Sequence, residues 1–275
     1  KNLKVGIDYG GTKIEGILMD NEGNEILRKR STYEKNYKSG IQTVSSLVEE
    51  FDKHTGTINT VGVGIPGSSS KETGLIKNAN SIWLNDKPFK QDLENSLGRD
   101  IRLMNDANCF ALSESIDGSG QGYDSVWGVI IGSGFGGSFV YKNQVIEGVN
   151  QVAGDWGHQP LPYPSEEEQD LGLECEVGNC HRPLCAEQFI SGVGFTKLFN
   201  LKYGTNFRTR EIVALEANGD ERAKKEFDLY EDRFARLIAI MIGIVDPDVI
   251  ILGGGMSNIG RLYKNIPKIL PVSYT

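Results

Sequence analysis

Residues 4–20, KVGIDYGGTKIEGILMD, contain the first of two similar patterns in this sequence. Residues 3–9 are rich in apolar side chains, Gly10-Gly11 interrupts them, and an extended pattern resumes over residues 14–19 before a polar turn. Short apolar runs bounded by glycine and asparagine are typical of strands joined by tight turns. These residues therefore predict a β-meander whose first turn is rich in glycine.

The same pattern returns in the middle of the chain. A strand pattern covers residues 125–131, glycines interrupt it over residues 132–137, and it resumes over residues 138–141 before the turn Lys142-Asn143. Two copies of one meander, about a domain apart, indicate a duplicated fold in which one copy opens each half. A nucleotide is then expected between the two halves.

The remaining apolar patterns predict helices that alternate with further strands. Residues 41–51 and 227–241 carry apolar side chains at intervals of three and four, which predicts a helix in each segment. Residues 60–65 and 249–252 are short apolar runs and predict buried strands. Strands that alternate with helices indicate a fold of the α/β class.

One glycine-rich polar stretch, residues 116–122, is the best candidate for a linker between domains. At 275 residues the chain is long enough for two domains, each with its own apolar core. We therefore expect an N-terminal domain of residues 1–117 and a C-terminal domain of residues 118–275.

The composition argues against several classes of protein. Hydrophobic residues make up 39% and charged residues 24%, which is typical of a folded globular chain and too apolar for a disordered one. The net charge of −8 opposes binding to nucleic acid, which depends on a surface rich in lysine and arginine. The longest apolar run, residues 237–245, is shorter than the roughly 20 residues that cross a bilayer. No apolar signal-peptide core begins the sequence, so we expect a cytoplasmic protein with reduced thiols.

Three of the four cysteines, Cys175, Cys180 and Cys185, lie within eleven residues. In a reducing compartment such a cluster indicates metal binding more than disulfide bonds. Cys109 stands apart from the cluster, and we expect it to be a buried residue of the core.

Three glycine clusters each follow an apolar strand: residues 10–11, residues 132–137 and residues 253–255. Glycine lets backbone N–H groups approach phosphate oxygens closely, so such turns can form anion-binding sites. Each cluster alone could be an ordinary tight turn. Three of them, with the nearby acidic and hydroxyl side chains of Asp8, Thr12 and Ser133, favour a nucleotide cleft. The P-loop and Rossmann motifs do not fit, because no GxxxxGK[ST] is present and the glycines lead into a strand instead of a helix.

At these residues the sequence resembles the sugar-kinase branch of the ROK family (repressors, open reading frames and kinases), within the actin and hexokinase superfamily. DYGGTK resembles the first phosphate motif of the family, GSGFGG the second, and DVIILGGGMSN the adenosine motif. Five further stretches resemble its sugar-binding and catalytic segments, in the expected order: GVGIPGS, NANSIWLN, RLMNDANCFALSE, AGDWGHQPLP and CAEQFISG. NANSIWLN and WGHQPLP look closest to bacterial fructokinases and mannokinases, whereas N-acetylglucosamine kinases differ at the first of these.

The resemblance implies two actin-like (ribonuclease H-like) α/β domains with a nucleotide and sugar cleft between them. The implied reaction is phosphorylation of a hexose by ATP with Mg²⁺, with the 6-hydroxyl of fructose or mannose as the first expectation and glucose, N-acetylglucosamine or N-acetylmannosamine as alternatives. The implied partners are ATP and a hexose, without nucleic acid or membrane, and a homodimer is allowed.

Two further alternatives are less favoured. A sugar-responsive regulator of the same family would need an N-terminal helix-turn-helix, whereas the first phosphate motif here begins at Asp8. An actin-like or chaperone ATPase would leave the Asn105-Asp106 pair and the His/Cys cluster unexplained.

Asp106 follows Asn105 and opens a helical pattern over residues 107–114, where unpaired N–H groups and the helix dipole are expected to keep its carboxylate ionised. By resemblance Asp106 is the general base that accepts the proton of the sugar hydroxyl. The residues assigned by resemblance to sugar binding are Asn80, Asn105, Asp106, Asp155, His158 and Glu187. Those assigned to ATP and Mg²⁺ are Asp8, Gly10, Gly11, Thr12, Lys13, Gly132, Ser133, Gly134, Gly136, Gly253, Gly254 and Gly255.

A structural Zn²⁺ is expected at a set of one nitrogen and three sulfur ligands, and this set is His158, Cys175, Cys180 and Cys185. The cysteine spacing is C-x4-C-x4-C, whereas the family usually has C-x-C-x4-C, so His181 is an alternative ligand and three unliganded thiols remain an alternative arrangement. Asp155 stands where the family usually has glutamate. The sequence also stops before the GD…G…GAA segment of the family, so we expect its C-terminal end to be missing.

Overall fold

The structure is a computed structural model that describes residues 3–171 and 180–270. The chain divides into two compact units. Unit 1 consists of Lys1–Cys109 with Glu147–Val152, and unit 2 consists of Phe110–Ile146 with Ala153–Thr275. Within the described residues, no helix has both the length and the apolar character that a membrane-spanning helix requires.

Unit 1 is built on a five-stranded sheet with the strand order β3 (Glu25–Thr32), β2 (Lys13–Met19), β1 (Lys4–Tyr9), β4 (Thr60–Ile65) and β7 (Arg102–Asn105). Strands β1, β2 and β3 are antiparallel neighbours, and β4 and β7 continue the sheet in parallel. The elements up to the end of β7 are β1 (Lys4–Tyr9), β2 (Lys13–Met19), β3 (Glu25–Thr32), α1 (Tyr37–Thr55), β4 (Thr60–Ile65), β5 (Ser68–Ser69), β6 (Ile76–Lys77), α2 (Phe89–Leu97) and β7 (Arg102–Asn105). Strands β5 and β6 form a separate two-stranded sheet.

The core of unit 1 forms where the apolar face of α1 packs on the sheet. Val44, Val48 and Phe51 are fully buried, as their helical spacing predicts. Gly16 on β2 faces Phe51, and a Cβ atom at that glycine would lie 2.7 Å from the phenyl ring. The meander predicted over residues 4–20 is confirmed, because β1 and β2 pair in register from Lys4 with Met19 to Tyr9 with Ile14.

Unit 2 is built on a four-stranded sheet with the strand order β10 (Gln144–Val145), β9 (Phe135–Tyr141), β8 (Ser125–Ile131) and β11 (Val249–Gly253). Strands β8, β9 and β10 repeat the meander, and β11 pairs with β8 in parallel. From the end of β7 onward, the elements are α3 (Asp106–Asp117), β8 (Ser125–Ile131), β9 (Phe135–Tyr141), β10 (Gln144–Val145), α4 (Glu166–Asp170), α5 (Ala186–Ile190), α6 (Gly192–Tyr203), α7 (Thr209–Ala217), α8 (Glu221–Val245), β11 (Val249–Gly253) and α9 (Gly260–Ile269). Helix α3 begins in unit 1 and continues into unit 2.

Helix α8 supplies much of the core of unit 2. Its side chains Phe227, Tyr230 and Phe234 are fully buried, and the helix ends at Val245, directly before Asp246-Pro247. The Tyr230 hydroxyl donates a hydrogen bond of 2.8 Å to the Ile190 carbonyl at the end of α5. This bond gives the buried hydroxyl a partner, while the ring packs against Phe195, Phe227 and Phe234.

The glycine-rich stretch after α3 forms the end of that helix. The N–H groups of Gly118 and Gly120 both donate to the Glu114 carbonyl, and the N–H of Ser119 donates to Glu114 Oε2. The division between the compact units lies earlier, between Cys109 and Phe110, and the stretch belongs to unit 2. A functional domain boundary at residues 117 and 118 stays a prediction.

Candidate active site

The first glycine cluster forms the turn between β1 and β2. The Gly10 N–H donates to the Lys13 carbonyl at 3.0 Å, and a Cβ atom at Gly10 would lie 2.8 Å from that oxygen, so the turn requires glycine there. Asp8 precedes the turn on β1. Burial raises the pKa of Asp8, the carboxylate of Glu15 opposite it raises the pKa further, and Arg30 lowers it.

Asn105 and Asp106 lie at the junction of β7 and α3. The Asn105 side chain has two bonds: Nδ2 donates to the Gly67 carbonyl at 3.0 Å, and Oδ1 accepts from the Asn108 N–H at 3.2 Å. Asn105 therefore caps the helix and also holds the loop after β4. Asp106 Oδ1 accepts a hydrogen bond of 2.7 Å from the Ala107 N–H.

The surroundings of Asp106 alter its acidity in the direction opposite to our expectation. Burial raises the pKa of Asp106 to about 6, the hydrogen bond from the Ala107 N–H lowers it, and the Asp8 carboxylate raises it. The side chain keeps access to solvent, yet the surrounding protein makes desolvation the largest of these effects. The expectation that the helix N-terminus has the largest effect on the pKa of Asp106 is wrong. The carboxylate is still mostly ionised at pH 7.

The segment around Asn80 is held by a side chain that the sequence analysis did not single out. Asn85 Oδ1 accepts from the Ala79 N–H at 2.9 Å, and Asn85 Nδ2 donates to the Ala79 carbonyl at 3.1 Å. This pair of bonds closes the loop and leaves the Asn80 side chain exposed, while Ser81 is buried. Asn85 is the last residue of NANSIWLN, and its residue type was a signal for such a loop, since asparagine side chains often bond to nearby backbone.

The second and third glycine clusters lie side by side in unit 2. Parallel pairing places Gly253 of β11 opposite Ile130 of β8. The next residue, Gly254, has a φ of 83°, and a Cβ atom there would lie 2.5 Å from the Ile131 carbonyl oxygen and 3.0 Å from the Gly132 nitrogen. Only glycine permits this conformation and this approach. The two clusters therefore form one surface of closely spaced backbone.

Glu187 lies on α5 and is only 4% exposed. Its Oε2 accepts a hydrogen bond of 3.0 Å from the Phe135 N–H at the end of the second glycine turn. Its Oε1 is buried and has no hydrogen-bond partner among the described residues. Burial raises the pKa of Glu187, the Phe135 N–H and His158 lower it, and Asp155 raises it. The burial of this residue was not predictable, because a glutamate in an unremarkable sequence is usually solvated.

Backbone pairing brings Asp155 and His158 close to Glu187. The Glu187 N–H donates to the Gly157 carbonyl at 2.8 Å, and two further bonds, Ala186 N–H to Gln159 and Leu161 N–H to Leu184, continue the pairing. A Cβ atom at Gly157 would lie 1.9 Å from the Phe135 carbonyl oxygen. The segment that carries Asp155 and His158 is therefore packed tightly against the second glycine turn.

His158, Cys180 and Cys185 form a cluster whose ligand atoms all lie within 4.8 Å of one another. Cys185 Sγ lies 3.6 Å from Cys180 Sγ and 3.5 Å from His158 Nδ1. Tetrahedral zinc with ordinary bond lengths requires about 3.8 Å between two sulfurs and about 3.5 Å between sulfur and nitrogen, so these three residues fit the ion. Cys175 lies outside the described residues, and His181 is not part of the cluster in the described chain.

Six further residues assigned to ATP binding lie at the two hairpin turns, and their role stays a prediction. The hairpin turns of the two units contain, or lie next to, Gly11, Thr12, Lys13, Ser133, Gly134 and Gly136.

Cys109 is partly buried in unit 1, and burial raises the pKa of its thiol to about 11.

The chain is similar to known proteins over nearly its full length. The family model described as "ROK family" matches residues 4–272. The N-acetyl-D-glucosamine kinase of Haemophilus influenzae is 38% identical, over 98% of this chain and 89% of that protein. The enzyme of the same name from Vibrio cholerae is 36% identical, with the same coverage.

Among solved structures, the ROK hexokinase of Thermus thermophilus superposes with a TM-score of 0.83 at 25% identity, covering 99% of this chain and 88% of that one. That match confirms the predicted actin-like α/β fold class. Because the family model and both relatives extend over nearly the whole sequence, the chain belongs to the ROK family and is one of its sugar kinases.

Proposed function

We propose that this chain is an ATP-dependent N-acetylglucosamine kinase that phosphorylates the 6-hydroxyl of the sugar. The support is the identity of 38% and 36% to two proteins that bear this name, over 98% of the chain. This similarity favours N-acetylglucosamine, the alternative of our sequence analysis, over the fructose or mannose suggested by NANSIWLN and WGHQPLP. Whole-chain identity is the stronger guide because it covers many positions outside these two short segments.

Asp106 is proposed as the general base, and its position at the start of α3 is the observation that carries the mechanism. A carboxylate with a pKa of about 6 is mostly ionised at pH 7, and it is a better proton acceptor than one with the ordinary value of 3.8. It would accept the proton of the sugar hydroxyl as the sugar oxygen attacks the γ-phosphorus of ATP and the bond from that phosphorus to the bridging β-phosphate oxygen breaks, which releases ADP. Asn105, fixed by Gly67 and Asn108, would hydrogen-bond the sugar beside it.

The other sugar contacts are proposed from both units. In unit 1 the exposed side chain of Asn80 would bind a hydroxyl group. In unit 2 Asp155, His158 and Glu187 would do the same, and Glu187 Oε1 supports this because it is a buried acceptor without a partner among the described residues. A buried acceptor of this kind is costly unless a ligand supplies the donor, as a sugar hydroxyl can.

The three glycine clusters are proposed to bind ATP. The β- and γ-phosphates would be held by backbone N–H groups of the two hairpin turns, residues 10–13 and residues 132–136. Residues 253–255 would lie at the adenosine. Asp8 would orient Mg²⁺, since carboxylate oxygens are suited to that ion. When bound, Mg²⁺ neutralises charge on the phosphates.

A structural zinc ion is proposed at His158, Cys180 and Cys185, with Cys175 as the fourth ligand. The distances among the three described residues agree with tetrahedral coordination. The ion would join the segment of Asp155 and His158 to the segment that leads into α5. It would therefore act on the sugar site by fixing its side chains and would take no part in phosphoryl transfer.

A panel of sugars tests the proposed substrate. With saturating ATP and Mg²⁺, N-acetylglucosamine should give a kcat/KM at least about tenfold above glucose, N-acetylmannosamine, fructose and mannose, since a site that pairs with one polar group discriminates against sugars that lack it. Coupled detection of ADP measures the rates. The Asp106→Asn protein, purified in parallel, shows how much activity comes from contaminating kinases. A higher kcat/KM for fructose or mannose would contradict the proposed substrate and leave the kinase assignment in place.

The pH dependence of the reaction tests the role of Asp106. Because only the ionised carboxylate accepts a proton, kcat/KM for the sugar should be level above pH 7 and fall about tenfold for each pH unit below about 6, the pKa of Asp106. Initial rates in constant-ionic-strength buffers from pH 4.5 to 8.5 measure this. The residual rate of Asp106→Asn should lack the inflection. A wild-type profile that is flat between pH 5 and 7 would contradict the assignment.

A further inference from the structure

A network of hydroxyl and aromatic groups lies beneath the first glycine turn in unit 1. The Tyr33 hydroxyl, from the residue that follows β3, donates a hydrogen bond of 2.9 Å to the Gly10 carbonyl. Trp83 Nε1, from the segment of Asn80, donates a hydrogen bond of 3.1 Å to the Tyr9 hydroxyl. Tyr9 is the residue directly before the glycine turn. The segment that carries Asn80 is thus bonded to the strand that leads into the turn.

Ser81 provides a second connection between the same two segments. Its side chain is only 2% exposed, and its hydroxyl is close enough to that of Tyr33 to lower the pKa of this phenol, as does the Tyr9 hydroxyl, although burial raises that pKa overall. A Cβ atom at Gly11 would lie 3.7 Å from Ser81 Oγ, an ordinary contact distance. Ser81 is adjacent to Asn80 in sequence. The Ser81 hydroxyl therefore lies next to both Tyr33 and the glycine turn.

Close packing holds the three rings in place. The centroids of Tyr9 and Tyr33 are 5.4 Å apart and those of Tyr33 and Trp83 are 6.2 Å apart, both in edge-to-face arrangements. Gly40 on α1 leaves the space for the Tyr9 hydroxyl, since a Cβ atom there would lie 2.0 Å from that oxygen. Tyr9 is 1% exposed. Rings that fill their space this closely transmit displacements instead of absorbing them.

The bond to the Gly10 carbonyl has a consequence for the next N–H group. The peptide unit is planar, and its C=O and N–H point in opposite directions, so fixing the Gly10 carbonyl also fixes the direction of the Gly11 N–H. The Gly10 N–H is already bonded to the Lys13 carbonyl. Among the described residues the Gly11 N–H makes none of the backbone bonds of the turn, so it is available to a phosphate oxygen, and the Tyr33 hydroxyl sets its direction.

We propose that Tyr9, Tyr33 and Trp83 couple the sugar-binding segment of unit 1 to the first phosphate turn, so that sugar binding at Asn80 orients the turn for ATP. This inference rests on the proposed function. The proposed site assigns none of the three residues to a contact with sugar or ATP, so they are positioning residues. Their effect is expected in the mutual dependence of sugar and nucleotide binding, where a purely structural role would produce no change.

The test removes one hydroxyl group. Tyr33→Phe should reduce, by about threefold to tenfold, the factor by which N-acetylglucosamine tightens binding of a nonhydrolysable ATP analogue with Mg²⁺, because one hydrogen bond is lost. Titration calorimetry with and without the sugar gives this factor. The Kd of the sugar alone should stay within about twofold of wild type. Trp83→Phe, which keeps a ring but removes the N–H donor to Tyr9, should act in the same direction.

Tyr37→Phe is the matched control. Tyr37 also lies in unit 1, and its hydroxyl donates a 2.6 Å hydrogen bond to Asp92 Oδ2, away from the glycine turn. Its loss should leave the coupling factor unchanged. Wild-type coupling in both Tyr33→Phe and Trp83→Phe would overturn the proposal, as would a wild-type enzyme that phosphorylates the sugar but binds the analogue equally well without it. A wild-type protein that phosphorylates no sugar would instead contradict the proposed function.

Discussion

Replacement of Asp106 by asparagine is expected to lower kcat by about 10²- to 10⁴-fold, the usual effect of losing a general base. Asparagine has nearly the same shape and can still accept the hydrogen bond from the Ala107 N–H, but it cannot take up the proton of the sugar hydroxyl. Because nothing in the glycine turns changes, the Kd of a nonhydrolysable ATP analogue should stay within about twofold of wild type. Steady-state kinetics and calorimetry measure the two quantities.

The same variant should fold at least as stably as wild type. The pKa of Asp106 is about 6 in the folded protein against an ordinary value of 3.8, so the protonated form is the one that folding favours. Stability from this group is therefore present below pH 3.8 and is lost as pH rises through about 6. At pH 7.5 the neutral asparagine removes a charge that the folded protein partly desolvates, and Tm should be unchanged or higher.

Asp117→Asn provides the control for both measurements. Asp117 is the last residue of the same helix, α3, and is exposed, so the same substitution there should alter neither kcat nor Tm measurably. Turnover of Asp106→Asn within about tenfold of wild type would remove this residue from the proposed chemistry. A large drop in its Tm would instead show that the activity loss comes from unfolding.

The fold was predictable where the signal lies within a few consecutive residues. The two meanders follow from apolar runs interrupted by glycine, and helix α8 follows from the spacing of Phe227, Tyr230 and Phe234, all fully buried. The parallel pairing of β8 with β11, which joins residues more than a hundred positions apart, was not readable from either strand. It is this pairing that brings the second and third glycine clusters together.

The electrostatics of the candidate site were less predictable than its residues. The start of a helix is visible in sequence and indicates a stabilised carboxylate at Asp106, whereas the protein packed around that carboxylate comes from distant parts of the chain. For the same reason nothing local indicates that Glu187 is buried with one oxygen bonded to the Phe135 N–H. Burial is a property of the tertiary fold, and it raises the pKa of Asp106, whereas the local sequence indicates that the pKa is lowered.

Loss of the proposed zinc ion is expected to weaken sugar binding about 10- to 100-fold, the usual range for losing groups that orient a site, before it affects ATP. The reason is the backbone between the ligands and the sugar contacts. Cys185 precedes Glu187 by two residues, and His158 follows Asp155 by three. Without the ion, the bonds between these segments include the backbone pairing, a 3.5 Å hydrogen bond from Arg182 Nη1 to the His158 carbonyl, and weak contacts of the Cys185 thiol with His158 and Gly157.

Cys180→Ser tests this directly, since it removes one ligand whose Sγ lies 3.6 Å from that of Cys185. Protein purified without chelator should contain about one zinc per chain by elemental analysis, and the variant should contain much less. Calorimetry should show the loss of sugar affinity, with the ATP analogue bound nearly as before. Cys109→Ser, a change in unit 1 outside the cluster, should keep both zinc and sugar affinity. Substoichiometric zinc in the parent would refute the ligand assignment, because a metal that fixes the two segments must be present in each chain. Undiminished zinc and sugar affinity in Cys180→Ser would refute it as well, because the loss of one thiolate ligand must weaken the binding of such a metal.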